Sequence, residues 1–421
     1  LMTMRRHGKT TFADLLDGGG RIQIYLQADA IGPRLYEALT LLEPGDFIGV
    51  EGEVFRTRLG EITVNVGTFQ VLAKALRPLP DKWHGVQDVQ TRYRQRYIDL
   101  VMNPEARQVF VARTRLIQTV RRILDAKGFL EVETPTLQPL YGGAAARPFV
   151  TFYNALGHDF YLRIANELYL KRLIVGGFEA VYEICKDFRN EGMDRTHNPE
   201  FTQVEFYWAY RDYHDMMALI EEIFTTIAKE LTGALVVEWE GHAIDLTPPW
   251  PRRPMLDLIG EHAGVWIRTL DDEALRRAVH HVYESFLDHE KLSRACADLP
   301  TLSRGSLIDE LFKLTVEPHL TGPIFVTDYP VELSPLAKIH RQDPDLTERF
   351  ELFILGREMA NSFSELNDPL DQRQRFEQQE RLIQAGDDEA QPLDEDFLRA
   401  LEYGMPPTGG AGLSLDRLAM F

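Results

Sequence analysis

Two apolar runs, Ala180 to Phe188 and Phe201 to Tyr210, enclose a polar stretch reading Arg189-Asn190-Glu191-Gly192 and then His197-Asn198-Pro199-Glu200. Runs of this length bounded by turn-forming residues predict two strands of a hairpin with the polar residues at its mouth. Side chains alternate between the faces of a strand, so Glu205 and Tyr207 share one face while Val204, Phe206 and Trp208 share the other. A later segment repeats the pattern: Asn361, Phe363 and Glu365 fall together, opposite Ala360, Ser362 and Ser364. In the first strand one face suits a core and the other carries functional groups, and the second strand likewise carries functional groups on one face.

The first 76 residues read as short strands punctuated by turns. Gly18-Gly19-Gly20 precedes alternating Arg21 to Leu26, followed by Asp46 to Val50, Glu53 to Phe55 and Ile62 to Val66. Some five short strands predict a small OB-type barrel over residues 1 to 76. Arg77-Pro78-Leu79-Pro80-Asp81 interrupts the pattern, because proline denies a sheet its ladder donor. This makes 77 to 97 a linker and 98 to 421 a second domain. There, Pro104 to Lys127 has helical spacing and stops at Gly128, and Gly128 to Pro135 reads as a helix end and two strands closed by proline. A helix is predicted from Asp215 to Leu231, and residues 248 to 320 read as a mostly helical insertion. Strands return at Ile324 to Thr327, Phe350 to Ile354 and Met359 to Leu366, before a charged helical segment from Gln372 to Tyr403. Helices mixed with antiparallel strands predict an α+β fold, an antiparallel sheet flanked by helices.

Composition narrows the functional classes. A formal net charge of −19 argues against a nonspecific nucleic-acid coat, although Arg92, Arg94, Arg96, Arg107, Arg113, Arg115, Arg121 and Arg122 crowd one region. Asp387-Asp388-Glu389 and Asp394-Glu395-Asp396 mark an acidic one. No run approaches the roughly 18 apolar residues of a membrane span. Cys185 and Cys296 are far apart and suggest neither a zinc site nor a disulfide framework. With no apolar leader at its start, the chain reads as cytoplasmic if complete.

The two patterned strands together predict a pocket of carboxylates with an aromatic ring and a phenol. A buried ammonium needs such acceptors, so this pocket suits a cation. Arg189 supplies a planar fork of donors for phosphate or carboxylate, and Phe201 a ring on which a base could stack. Glu351 and Glu358 flank a turn at Gly356-Arg357 and suit a magnesium ion beside phosphates, although each alone also fits a surface charge. The run Thr408 to Leu418 places glycines before a helix start with Arg417, which permits close approach to a ligand or tight strand-helix packing.

Taken in order, Gly128 to Pro135, Phe188-Arg189-Asn190-Glu191 with His197 to Phe201, and Gly410 to Arg417 resemble motifs 1, 2 and 3 of the class II aminoacyl-tRNA synthetases. Gly142 to Phe149, Glu167 to Leu173 and Phe363 to Pro369 resemble the lysyl members of that class, and the similarity covers essentially the whole chain, including the Ala75 to Lys82 linker. The resemblance implies that ATP is a substrate, that Mg2+ is the cofactor, and that L-lysine and tRNA are the other partners. It implies that Arg189 holds the α-phosphate and the amino-acid carboxylate. Glu191, His197, Asn198 and Phe201 would complete the nucleotide site, with Phe201 and Arg417 on either side of adenine, and Glu351 and Glu358 would hold the metal. Gly143, Glu167 and Asn361 would fix the backbone groups of lysine, while Glu205, Tyr207, Phe363 and Glu365 enclose its side chain. In the barrel, Phe12, Gln23 and Glu61 occupy positions that read anticodon bases, and Arg5 one that meets the backbone nearby. By residue type alone, Phe12 fits the barrel core. Motif 1, with Pro135, implies a homodimer.

The sequence departs from the family pattern at Ser414, where motif 3 has its third glycine, and a hydroxymethyl there would narrow the pocket or add a hydrogen bond. The chain also starts at Leu1 and stops inside the helix that motif 3 begins. It is expected to be a fragment at both ends, less stable than a longer form. Two rival readings are a paralogue that modifies a translation factor, which lacks the barrel, and a noncatalytic RNA-binding relative, which loses ATP-binding residues.

Overall fold

The computed structural model describes residues 1–80, 86–194, 197–384 and 390–421. Asp81 and Lys82 of the linker and the Asp387-Asp388-Glu389 run lie outside the described residues. The chain divides into two compact units, Leu1–Phe110 and Val111–Phe421.

The first unit holds five strands: β1 (Thr3–His7), β2 (Thr10–Leu16), β3 (Arg21–Gln27), β4 (Phe47–Arg56) and β5 (Ile62–Ala73). They lie in the order β1-β2-β3-β5-β4. The two short runs expected at 46–50 and 53–55 are one strand, β4, bent by a register shift between Glu51 and Gly52. A Cβ on Gly52 would sit 2.0 Å from the Asn65 carbonyl oxygen, so the glycine lets β4 stay paired through the bulge. Alternation decides the faces. Ala13, Ile24, Leu26 and Val66 form the buried cluster, and Phe12 points away from it. The expectation that Phe12 fits the core is therefore corrected: it is half-buried against Tyr25, ring centroids 4.6 Å apart.

The second unit is built on an eight-stranded sheet. In chain order its described strands are β6 (Leu130–Glu131), β10 (Ala180–Phe188), β11 (Glu200–Ala209), β14 (Arg252–Pro254), β15 (Ile324–Thr327), β16 (Arg349–Ile354), β17 (Arg357–Ser364) and β18 (Thr408–Ser414). A side sheet holds β7 (Leu137–Gln138), β8 (Val150–Tyr153) and β9 (His158–Leu162), and a hairpin holds β12 (Val236–Trp239) and β13 (His242–Asp245). The spatial order is β14-β15-β16-β17-β18-β11-β10-β6. The interior is antiparallel, as expected, but both outer pairs, β14 with β15 and β6 with β10, are parallel. Parallel neighbours need a crossover, and the helices between Met255 and Thr315 supply one for β14 and β15. The predicted insertion is thus the connection that makes one end of the sheet parallel. Of the two strands expected in Gly128 to Pro135, only Leu130–Glu131 forms.

Two helices cover one face of this sheet. Tyr213–Thr232 starts with an Asp212 and Asp215 capping box and ends at left-handed Gly233, φ 79°. Its Met216, Ile220, Ile223 and Phe224 pack with Leu116, Val120 and Leu124 of the helix Pro104–Ala126 against Val204, Phe206, Ala411 and Leu413. Each such side chain contributes about 1.5–3 kcal/mol on burial, enough to fix the register of the strands. Because the period is two, that register turns Glu205, Tyr207, Asn361 and Phe363 to the opposite face.

Candidate active site

The opposite face of the sheet opens a cavity of about 460 Å³. The geometry begins with β18, which runs between β11 and β17. Its Gly412 pairs with Glu205 on one side and Asn361 on the other, and its Gly410 pairs with Tyr207 and Phe363. The central strand therefore has no side chains where its neighbours carry theirs. A Cβ on Gly410 would meet Glu365 Oε1 at 2.0 Å and the Tyr207 ring at 2.5 Å. The glycine run expected to permit close approach does so toward the protein's own carboxylate and phenol.

All fifteen residues expected in this unit line that one cavity: Gly143, Glu167, Arg189, Glu191, His197, Asn198, Phe201, Glu205, Tyr207, Glu351, Glu358, Asn361, Phe363, Glu365 and Arg417. At one end the groups are open and loosely held. The Arg189 guanidinium lies 5.1 Å from the centre of the Phe201 ring. Arg417 donates to the Glu358 carbonyl (2.5 Å), lies 3.4 Å from the Glu358 carboxylate and contacts His197 Nε2 at 3.3 Å. His197 Nδ1 is 2.9 Å from Asp194, and Asn198 donates to the Glu200 carbonyl. Glu191, His197 and Asn198 are exposed. Ser414 neither narrows the cavity with a free hydroxyl nor leaves it unused: its Oγ accepts from the Arg417 backbone N–H at 3.2 Å and caps the helix that bears Arg417.

At the other end the groups are buried and interlocked. Glu205 accepts from Tyr207 (3.1 Å) and from Gln203 Nε2 (2.7 Å), which also donates to Asp187. Among the described residues Glu205 forms no ion pair, and burial pushes its carboxyl well above the ordinary range, with Asp187 and Glu167 adding to the rise. Burial likewise raises Asp187 to about 6, against the pull of Arg163, whose Nε is 3.2 Å away. Glu167 begins the helix Glu167–Val175, which buries Leu168, Leu170 and Ile174, and one turn later Lys171 lies on the same face. Lys171 bridges Glu167 and Glu365 and lies 5.2 Å from the centre of the Phe363 ring. Burial opposes its charge, yet those two carboxylates leave it raised above its ordinary value.

Sequence reasoning missed four contributors. Lys171 lies unremarked inside the Glu167 to Leu173 motif, although its spacing of four from Glu167 marks a shared helix face. Arg349 donates to Asn361 (3.1 Å) and pairs with Glu351 (2.6 Å), which also accepts from Tyr329 (2.8 Å). Burial raises the Glu351 carboxyl to about 7 against the pull of Arg349. Gln203 shares the period of Glu205 and Tyr207. Gln391 had no sequence signal, and its Oε1 accepts from the Gly143 N–H at 3.0 Å.

In the first unit, Arg5 and Phe12 are opposite one another across β1 and β2. Gln23 on β3 accepts from Thr63 (3.0 Å), and exposed Glu61 precedes β5. Tyr25, tilted against Phe12 and 6.3 Å from Phe55, joins this side of the sheet and was not expected.

Comparison with known proteins agrees along the whole chain. Residues 88–421 match a family described as tRNA synthetases class II (D, K and N), and residues 1–72 match the OB-fold nucleic acid binding domain. A lysine–tRNA ligase of Moorella thermoacetica is 55% identical over all 421 residues, which span 84% of that protein. One of Pelotomaculum thermopropionicum is 55% identical over 100% of this chain and 81% of the relative. One of Halalkalibacterium halodurans is 51% identical over 100% of this chain and 82% of the relative. The chain belongs to the lysine–tRNA ligase family of class II aminoacyl-tRNA synthetases.

Proposed function

We propose that the chain joins L-lysine to ATP, forming lysyl-adenylate and pyrophosphate, and then transfers lysine to the 3′ end of its tRNA. One observation carries the choice of lysine: Glu205 is a buried carboxylate in the cavity wall, hydrogen-bonded but, among the described residues, without an ion-pair partner. An ammonium would remove that cost of burial.

Arg189 and Asn361 hold the lysine carboxylate and backbone groups, with Gly143 and Glu167 on the α-ammonium. Glu205, Tyr207, Phe363 and Glu365 enclose the side chain. A carboxylate oxygen attacks the α-phosphorus, the bond to the bridging oxygen breaks, and pyrophosphate leaves. The attacking carboxylate is ionised at neutral pH, so no general base is needed and positioning with charge stabilisation by Arg189 serves the step. Glu191, His197, Asn198 and Phe201 hold the nucleotide with Arg417.

Glu351 and Glu358 fit Mg2+. Both line the cavity, and an ion that keeps waters and phosphate oxygens needs only one or two carboxylates from the protein. Bound there, Mg2+ would offset phosphate charge. Residues 1–76 would bind the anticodon through Arg5, Phe12, Gln23 and Glu61, with 77–97 as linker and 98–421 as catalytic domain.

The reading includes a homodimer, which the exposed Leu130, Leu137, Val150 and Phe152 around motif 1 support. Sedimentation of a monomer would refute it. It also includes a cytoplasmic location; no described helix is long and apolar enough to cross a membrane. The test of activity is amino-acid-dependent exchange of pyrophosphate into ATP. L-Lysine alone among the standard amino acids is expected to drive it, and Arg189→Ala to abolish it. Equal exchange with other amino acids overturns the assignment.

A further inference from the structure

We propose that Lys171 is a positioning residue of the side-chain pocket: its ammonium takes one oxygen of Glu365 and so presents the other to the substrate's ε-ammonium. This deepens the lysine reading and rests on it.

Three observations carry it. Lys171 is fully buried and lies behind the cavity wall, so it is part of the pocket's frame and leaves the cavity itself open. Its Nζ contacts Glu167 Oε1 and Glu365 Oε2, which joins the carboxylate proposed for the α-ammonium to one proposed for the ε-ammonium. Apart from Lys171, no hydrogen-bond donor among the described residues meets either carboxylate oxygen of Glu365, and its Oε1 lies over Gly410, where a Cβ would be 2.0 Å away. The ion pair at Oε2 is therefore what the protein supplies to hold this carboxylate, and Oε1 remains for a ligand.

The charge balance gives the reason for a lysine at this position. Glu167, Glu205 and Glu365 are all buried in or beside the cavity wall. Three such carboxylates without an internal cation would repel one another and favour protonation, and a protonated carboxyl is a poor acceptor for an ammonium. One internal ammonium under the Phe363 ring offsets one of these charges and fixes the orientation of two of the groups. Glu205 and the free oxygen of Glu365 then face the incoming side chain.

The test is the split between KM for lysine and KM for ATP in pyrophosphate exchange by the full chain. Lys171→Met is expected to raise KM for lysine about tenfold or more, while KM for ATP stays within about twofold. An unchanged KM for lysine, or equal rises in both constants, overturns the proposal. A merely structural loss would lower the amount of active enzyme and leave both constants alone. If Lys171→Met does not fold, Lys171→Met with Glu365→Gln removes the unpaired charge and is compared with Glu365→Gln alone. Equal KM values for lysine are expected, because Lys171 acts through Glu365, and a clearly higher value in the double variant overturns the proposal. Wild-type exchange that does not depend on lysine is a separate result, and it rejects the lysine reading itself.

Discussion

The two ends of the cavity are built by opposite means. Around Arg189, Phe201, His197 and Arg417 the side chains are partly or fully exposed, and come from the hairpin mouth, the start of β11 and a six-residue helix. Around Glu205, Tyr207, Lys171 and Glu365 they are buried on strands and on a packed helix, each held by a partner of defined geometry or charge. A phosphate-rich ligand brings its own charge and can order exposed groups as it binds. An ammonium recognised in a low-dielectric pocket cannot, because unpaired carboxylates must be oriented before it arrives. Changes at the buried end should therefore be severe and selective for lysine, and changes at the open end mild unless they remove Arg189.

The strongest way to break this contrast is Gly410→Ala. The new methyl would collide with Glu365 Oε1 and the Tyr207 ring at once, both of them buried. Exchange should fall about a hundredfold or more, and overpacking should cost about 1–3 kcal/mol in a denaturant titration. Activity close to wild type would mean that the buried end is not rigid. Next is Glu205→Gln, which keeps the hydrogen-bonding shape and removes the charge. KM for lysine is expected to rise about a hundredfold, with KM for ATP nearly unchanged, since a charged hydrogen bond in a buried site is lost. The same variant should be no less stable than wild type, because a buried carboxylate without a cation is costly to fold.

The sequence made this end legible up to a point. Period two placed Glu205 with Tyr207 opposite apolar Val204 and Phe206, and Asn361 with Phe363 opposite the small residues Ala360, Ser362 and Ser364, which the fold buries. What it hid was long-range. Gln391 reaches Gly143 from 248 residues away, and Arg349 meets Asn361 only because β16 lies beside β17. The parallel outer pairs were hidden for the same reason, since pairing direction depends on where a crossover returns and not on the strand's own pattern. Phe12 shows the limit of residue type. A phenylalanine in a barrel strand suggests core, but its neighbour Ala13 takes that face.

A smaller and pH-dependent effect lies one layer behind Glu205. Asp187 has its carboxyl raised to about 6 from the ordinary 3.8. Between those values the folded state binds more protons than the unfolded state, so this group's contribution makes stability fall as pH rises from about 4 to about 6. Asp187→Asn removes the titration. Relative to wild type the variant should gain stability over that window, by on the order of 3 kcal/mol at most, and then level off above pH 7. Denaturant midpoints at pH 4, 5, 6 and 7 measure it. Parallel curves for the two proteins would show that Arg163 keeps Asp187 ionised throughout.

The mildest change is at the open end, at Ser414. Ser414 Oγ accepts from the Arg417 N–H, so its work is to cap the short helix that carries the arginine. Replacing a capping serine with glycine costs only a few tenths of a kcal/mol, because glycine exposes the same N–H to water. Ser414→Gly should thus change KM for ATP by less than about threefold and KM for lysine not at all. A tenfold rise in KM for ATP would place the hydroxyl on the nucleotide itself and make the open end as prebuilt as the buried one. A rise in KM for lysine alone would be stranger, since it would couple a helix cap to the Lys171 and Glu365 pair at the far end of β18.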